Sequence, residues 1–167
     1  MLKINDLKLT INDNKILDIK SFTCESPGLY VILGPSGCGK TTLLNVIAGL
    51  NTNYSGKVSV LNRNYGRMKE KAITRFRSAN ISVFFQHNIF LEDLTLAENI
   101  SLSALNTNKN AKGIINTKVY KLAQHLNIQE ELTHKVKTLS GGEKTRGSLA
   151  RTLLKDVTIY LFDEPTD

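Results

Sequence analysis

The chain has 167 residues, 41% of them hydrophobic, and 22 basic against 15 acidic side chains leave a net charge of +7. That size and apolar content suit one domain with a substantial core, and the positive balance admits a polyanionic ligand, a nucleic acid or an anionic surface as partner. The basic residues are scattered, tryptophan is absent, and the two cysteines, Cys24 and Cys38, form no disulfide framework, which weighs against a base-stacking platform and a secreted scaffold and fits a reducing cytosol. Met1–Asp6 is too polar for a signal peptide, no apolar run is long enough for a bilayer, and His87, His125 and His134 lack metal-ligand spacing.

In chain order, Leu2, Ile4, Leu7, Leu9 and Ile11 read as a strand, and Ile16, Leu17, Ile19 and Phe22 as a second, joined by the turn signal Asn12-Asp13-Asn14. Together they predict an antiparallel β layer. Tyr30-Val31-Ile32-Leu33, bounded by Gly28 and Gly34, predicts a buried strand, and Thr41 to Gly49 predicts a helix. Lys57 to Leu61 alternates as a strand, Met68 to Arg77 reads as a charged helix, and Ile81 to Phe85 as a strand stopping at Gln86. Thr95-Leu96-Ala97-Glu98 is a capping box that opens a helix, Asn106 to Asn110 is a polar connector, and Thr117 to Leu126 is amphipathic. A further helix runs from Ser140 to about Leu154, and Val157 to Phe162 predicts a buried strand ending in Asp163-Glu164-Pro165.

Gly34-Pro35-Ser36-Gly37-Cys38-Gly39-Lys40-Thr41 has the form G-x-x-x-x-G-K-T between a predicted strand and a predicted helix. That is the context of a phosphate-binding loop. Glycines let backbone N–H groups approach phosphate oxygens, and the helix start adds a positive dipole end. Lys40 would reach the β and γ phosphates, and the Thr41 hydroxyl would ligate Mg²⁺. Downstream, an apolar strand ending in Asp163-Glu164 puts one carboxylate where it holds Mg²⁺, directly or through water, and another where it orients or deprotonates an attacking water. The amide of Gln86 can accept from a metal-bound water and donate to a phosphate oxygen, although a polar strand end is an equally ordinary reading. Ser140-Gly141-Gly142-Glu143 could simply be a capping box. The two adjacent glycines instead favour an anion at a bare helix start.

Taken together, Gly34 to Thr41, Gln86, Leu139 to Glu143 and Leu161 to Thr166 stand in the order of an ABC-type ATPase domain, which the chain resembles through essentially its whole length. The stretches Met68 to Gln86 and Leu94 to Asn99 look most like the lipoprotein-release and macrolide-export branch. The resemblance implies an α/β P-loop NTPase with a RecA-like core, an antiparallel β layer and a helical subdomain. Residues 1–86 and 155–167 would form the core with its β layer, and residues 87–154 the helical part. Cofactors would be ATP and Mg²⁺. Gly34, Pro35, Ser36, Gly37, Cys38, Gly39, Lys40, Thr41 and Thr42 would bind the nucleotide, with Ser140, Gly141 and Gly142 contacting ATP held by a second such domain. Thr41, Gln86 and Asp163 would serve the metal, and Glu164, with Gln86, the chemistry. The implied function is the ATP-hydrolysing subunit of a membrane exporter, cytoplasmic and held at the inner face of the membrane by a permease, with no nucleic-acid partner.

Departures from the pattern shape three further expectations. Ile11 falls near the position where relatives stack an aromatic ring on adenine. Glu143 stands where glutamine is more usual. The sequence stops at Asp167, before the D-loop and switch histidine, so a truncated chain that binds ATP better than it turns it over is expected. The alternatives are a soluble ABC-type ATPase acting on nucleic acid or the ribosome, or a nucleotide-binding remnant. Between the phosphate loop and Ser140 no heptad array appears, which favours transport.

Overall fold

The computed structural model describes residues 1–87, 89–104 and 112–165, with the backbone alone at 112 and 114. The chain divides into two compact units, Met1–Ile81 and Ser82–Asp167.

In the first unit, β1 (Leu2–Ile11) and β2 (Asn14–Cys24) form the expected antiparallel hairpin. Asn12 and Asp13 turn it with φ of 48° and 64°, the left-handed pair that matches the twist of the flanking strands. β3 (Ser55–Val60) pairs with the other edge of β1, and the two-residue β4 (Arg63–Asn64) follows through a second such turn at Leu61-Asn62. The sheet order is β2-β1-β3-β4. Strict alternation would carry the apolar set of β1 to the wrong face after Ile4. A bulge between Asn5 and Lys8 prevents this, so Leu2, Ile4, Leu7 and Leu9 are all buried. Gly56, at φ 97°, makes room for the bulge: a Cβ there would lie 2.2 Å from the Asp6 carbonyl oxygen.

Helix α1 (Lys40–Ile47) buries Leu43, Val46 and Ile47. It ends in a Schellman turn at Gly49, φ 68°, where Leu50 N–H donates to Asn45 O at 2.8 Å and Gly49 N–H to Val46 O at 3.0 Å. Helix α2 (Glu70–Asn80) sends Arg77 to the Gly49 carbonyl at 3.0 Å, a cation at the negative end of α1. Between them the buried Tyr65 hydroxyl donates to Ile47 O at 2.8 Å, and burial pushes its pKa up.

The expected strand at Tyr30–Leu33 does not form. These residues have no ladder partner among the described residues, and Leu29 and Leu33 are 92% and 86% exposed. An apolar run becomes a buried strand only where neighbours satisfy its backbone, and none of the described strands pairs with this one.

In the second unit, β5 (Ile81–Phe84) pairs with β6 (Ile159–Phe162). The expectation of a buried final strand holds for Leu161 alone: Tyr160 and Phe162 remain partly exposed because the described sheet has just these two strands. Helices α3 (Leu96–Ser101), α4 (Lys112–His125) and α5 (Gly141–Leu154) pack around Leu96, Ile100, Val119, Ala123 and Ala150, with short 3₁₀ turns at Glu130–Thr133 and Val136–Thr138 completing the core. The Thr95–Glu98 capping box opens α3 as expected. The connector expected at Asn106–Asn110 lies outside the described residues. Among the described residues no helix is long and apolar enough to cross a membrane.

Gly56→Ala is expected to destabilise the first unit by about 2–4 kcal/mol, since it adds both backbone strain and a clash with a carbonyl. Urea unfolding is the measurement; a loss below about 0.5 kcal/mol would contradict this account of the bulge.

Candidate functional site

In the first unit the phosphate-type loop leads into α1 through Gly39, which sits in the left-handed region at φ 97°. No side chain caps the first turn of α1. Its orphan N–H groups can therefore be met by an external anion. A Cβ on Gly39 would come within 2.9 Å of both Ile16 O and Leu17 Cδ2, and one on Gly34 within 2.8 Å of Cys38 Sγ. The loop is thus folded tightly on β2 and on itself, while Gly37, at φ 78°, turns in open space. Lys40 Nζ donates to the carbonyls of Gly34 at 3.0 Å and Pro35 at 3.1 Å, which curls the loop around the ammonium group. Pro35, Ser36, Cys38 and Thr41 are exposed, and Thr42 is half-buried. Ile11 is exposed at the end of β1.

In the second unit the ends of β5 and β6 come together. Asp163 N–H donates to Phe84 O at 3.0 Å, and beyond that bond Gln86 Nε2 donates to the Glu164 carboxylate at 2.5 Å. Asp163 is 5% exposed. Glu164 adopts φ 46°, a left-handed conformation uncommon for such a residue and concentrated at functional sites. Gln86 and Glu164, read separately in the sequence, are direct partners.

Ser140 caps α5 reciprocally: its Oγ accepts from Glu143 N–H at 3.4 Å, and the Glu143 carboxylate accepts from Ser140 N–H at 2.8 Å. The hydrogen bonds from Ser140, backbone first, hold the Glu143 carboxyl below the usual carboxylate range. A Cβ on Gly141 would meet nothing within 4 Å, and one on Gly142 only the Arg146 guanidinium, at 3.3 Å. Packing within this chain therefore does not demand both glycines. Their bareness suits the close approach of something from outside.

The donors proposed for Mg²⁺ are a carboxylate, an amide and a hydroxyl, the hard oxygen chemistry that ion prefers. Among the described residues no three His, Cys, Asp or Glu side chains gather into a cage.

Two polar residues were not picked out from the sequence. Asn99 is fully buried, accepting from Leu91 N–H at 2.9 Å and donating to Leu91 O at 2.9 Å and Thr95 O at 3.0 Å. Its place between Leu96 and Ile100 on a buried helix face was the available signal. Arg151 donates to Ile89 O and lies over the Phe90 ring, 4.7 Å from its centroid. Burial lowers its pKa from the ordinary guanidinium value. Nothing in the sequence pairs these positions, which lie far apart along the chain.

A profile of the family described as ABC transporter matches residues 17–167. The lipoprotein-releasing system ATP-binding protein LolD of Treponema pallidum is 36% identical over 91% of this chain and 67% of its own length. The tungstate uptake system ATP-binding protein TupC of Peptoclostridium acidaminophilum is 35% identical over 99% of this chain and 72% of its own. The dimeric post-hydrolysis structure of the ATP-binding cassette MJ0796 bound to ADP and Pi superposes with a TM-score of 0.89 at 25% identity, over 99% of this chain and 75% of that one. The chain therefore shares the fold of these P-loop cassettes; it spans 67%, 72% and 75% of these three proteins and 56% of a similarly matched ATP-binding protein of Bacillus subtilis.

Ser140→Ala removes the α5 cap and is expected to cost about 1 kcal/mol near neutral pH. Because folding depresses the Glu143 pKa, its contribution is present above the unfolded carboxylate range and fades as pH falls through the lowered value. The stability gap between wild type and a Glu143→Gln variant should therefore narrow in acid, as read by thermal unfolding across pH, whereas Ser140→Ala keeps the backbone donor and most of this dependence. A gap that stays constant through the carboxylate range would contradict the linkage.

Proposed function

The chain belongs to the ABC transporter family, and on that premise we propose that it is an ATP-binding subunit whose ATP hydrolysis drives an export system. The observation that carries this reading is the glycine-turned loop ahead of the uncapped start of α1, with Lys40 folded onto the Gly34 and Pro35 carbonyls. Its backbone donors and ammonium group match a chain of phosphates.

Gly34 to Thr42 hold the nucleotide phosphates, and Lys40 neutralises their charge. Thr41 in the first unit, and Gln86 and Asp163 in the second, would each offer an oxygen donor to Mg²⁺, which would neutralise charge on the phosphates. Glu164 accepts the proton of the attacking water on a carboxylate oxygen. Gln86 Nε2, bonded to that carboxylate, orients it. Ser140, Gly141 and Gly142 receive the phosphates of ATP bound by a second ATP-binding domain, so ATP joins two such subunits. A dimeric relative bound to ADP and Pi supports that arrangement.

A lipoprotein-releasing subunit and a tungstate uptake subunit are about equally similar to this chain, so export is proposed on the resemblance of the stretches 68–86 and 94–99 to the lipoprotein-release branch. We propose a permease as the membrane-embedded partner, holding this subunit at the cytoplasmic face. Scattered basic residues, with no stacking platform, support a role without nucleic acid.

Lys40→Ala is expected to weaken ATP binding at least tenfold in calorimetry, and unchanged affinity would sink the phosphate-loop assignment. Glu164→Gln should keep ATP affinity within about twofold while lowering turnover about 100-fold. Wild-type turnover in that variant would remove Glu164 from the chemistry.

A further inference from the structure

We infer that Arg151 is a positioning residue for Gln86, clasping the chain just beyond it so that the glutamine amide is presented to Glu164. The inference rests on the reading of Gln86 and Glu164 as parts of the hydrolytic site.

Two consecutive residues of α5 grip the chain on both sides of Gln86. On the near side, Thr152 O accepts from Ser82 Oγ at 2.8 Å, and the Thr152 hydroxyl, which donates to Ser148 O at 2.9 Å, also lies 3.4 Å from Val83 O. On the far side, Arg151 donates to the Ile89 carbonyl and stacks over Phe90. Gln86 lies three residues from each grip. With both flanks held by one helix, the reach of its side chain toward Glu164 is set by α5.

The far grip matters because the segment does little to anchor itself. Ile89 and Leu91 point their side chains to solvent, at 65% and 56% exposure. Of the three, only Phe90 packs against the helical core, and the rest of the hold is polar: Asn99 fixes the Leu91 backbone, and Arg151 bonds the Ile89 carbonyl while covering the Phe90 ring. A planar guanidinium can donate in its plane while stacking on an aromatic face. Lysine keeps the charge and the stem but cannot do both. The same helix begins at the Ser140 cap, so movement at its glycine end would be felt at Gln86 through one rigid rod.

The test compares Arg151→Lys and Phe90→Leu, one on each side of the clasp, using amide hydrogen exchange and steady-state ATP hydrolysis on the full chain. Both variants should speed exchange across residues 86–91 at least tenfold while exchange along α5 changes less than twofold. Both should lower kcat about tenfold with KM and ATP affinity within twofold. Unchanged exchange at 86–91, or equal acceleration through α5, would overturn the inference. So would a KM that rises in step with the fall in kcat. Failure of both variants to fold would also overturn it, making Arg151 a general core residue. The exchange measurement needs no nucleotide, so it stands apart from the ATPase reading, which fails instead if Lys40→Ala binds ATP normally.

Discussion

The first turn of a helix carries N–H groups that no carbonyl within the helix can accept, and α1 and α5 meet this constraint in opposite ways. Helix α5 satisfies it internally through Ser140 and Glu143. Helix α1 has no side-chain cap and is approached through Gly34, Gly37 and Gly39. One helix start is thus closed by its own cap, with bare glycines in its first turn; the other has no side-chain cap. Their different chemistries follow from that difference. A phosphate can replace a missing cap at α1, whereas at α5 it would approach alongside a cap already made.

Strand ends obey a related rule. Where β5 and β6 finish, backbone pairing runs out after the bond from Asp163 to Phe84, and side chains take over. Gln86 meets Glu164, and Glu164 adopts a left-handed backbone to do so. Such a contact needs its supports. Ser82 and Val83 are tied to Thr152, Ile89 and Phe90 to Arg151, and Leu91 to Asn99. Apart from Phe90, which packs against the helical core, the supports are polar and hold backbone. They leave Ile89 and Leu91 exposed on the same segment.

Much of this was legible in the sequence wherever the cause is local. The Asn12-Asp13 turn, both capping boxes, the glycine that ends α1 and the phosphate loop each depend on residues a few positions apart. Alternation located β1 and β2, yet it could not show the bulge at Asp6, because that bulge requires Gly56 on the neighbouring strand. The same limit explains Tyr30–Leu33. Its apolar run is real, but a strand also needs a partner for its backbone, and hydropathy carries no information about which edges are filled.

By itself the sequence determined the groups available to the protein: a lysine and glycines ahead of a helix, paired carboxylates after an apolar strand, and a capped helix start with two glycines. These depend on residue type and short spacing, which chain connectivity preserves. Tertiary structure alone decided which of these groups touch. It joined Gln86 to Glu164 across 78 positions of chain and Arg151 to Ile89 across 62. It also left the run from Leu29 to Leu33 without a ladder. The reason is physical. A hydrogen bond or a strand pairing is a property of two backbones brought within about 3 Å, and no local pattern specifies its distant half.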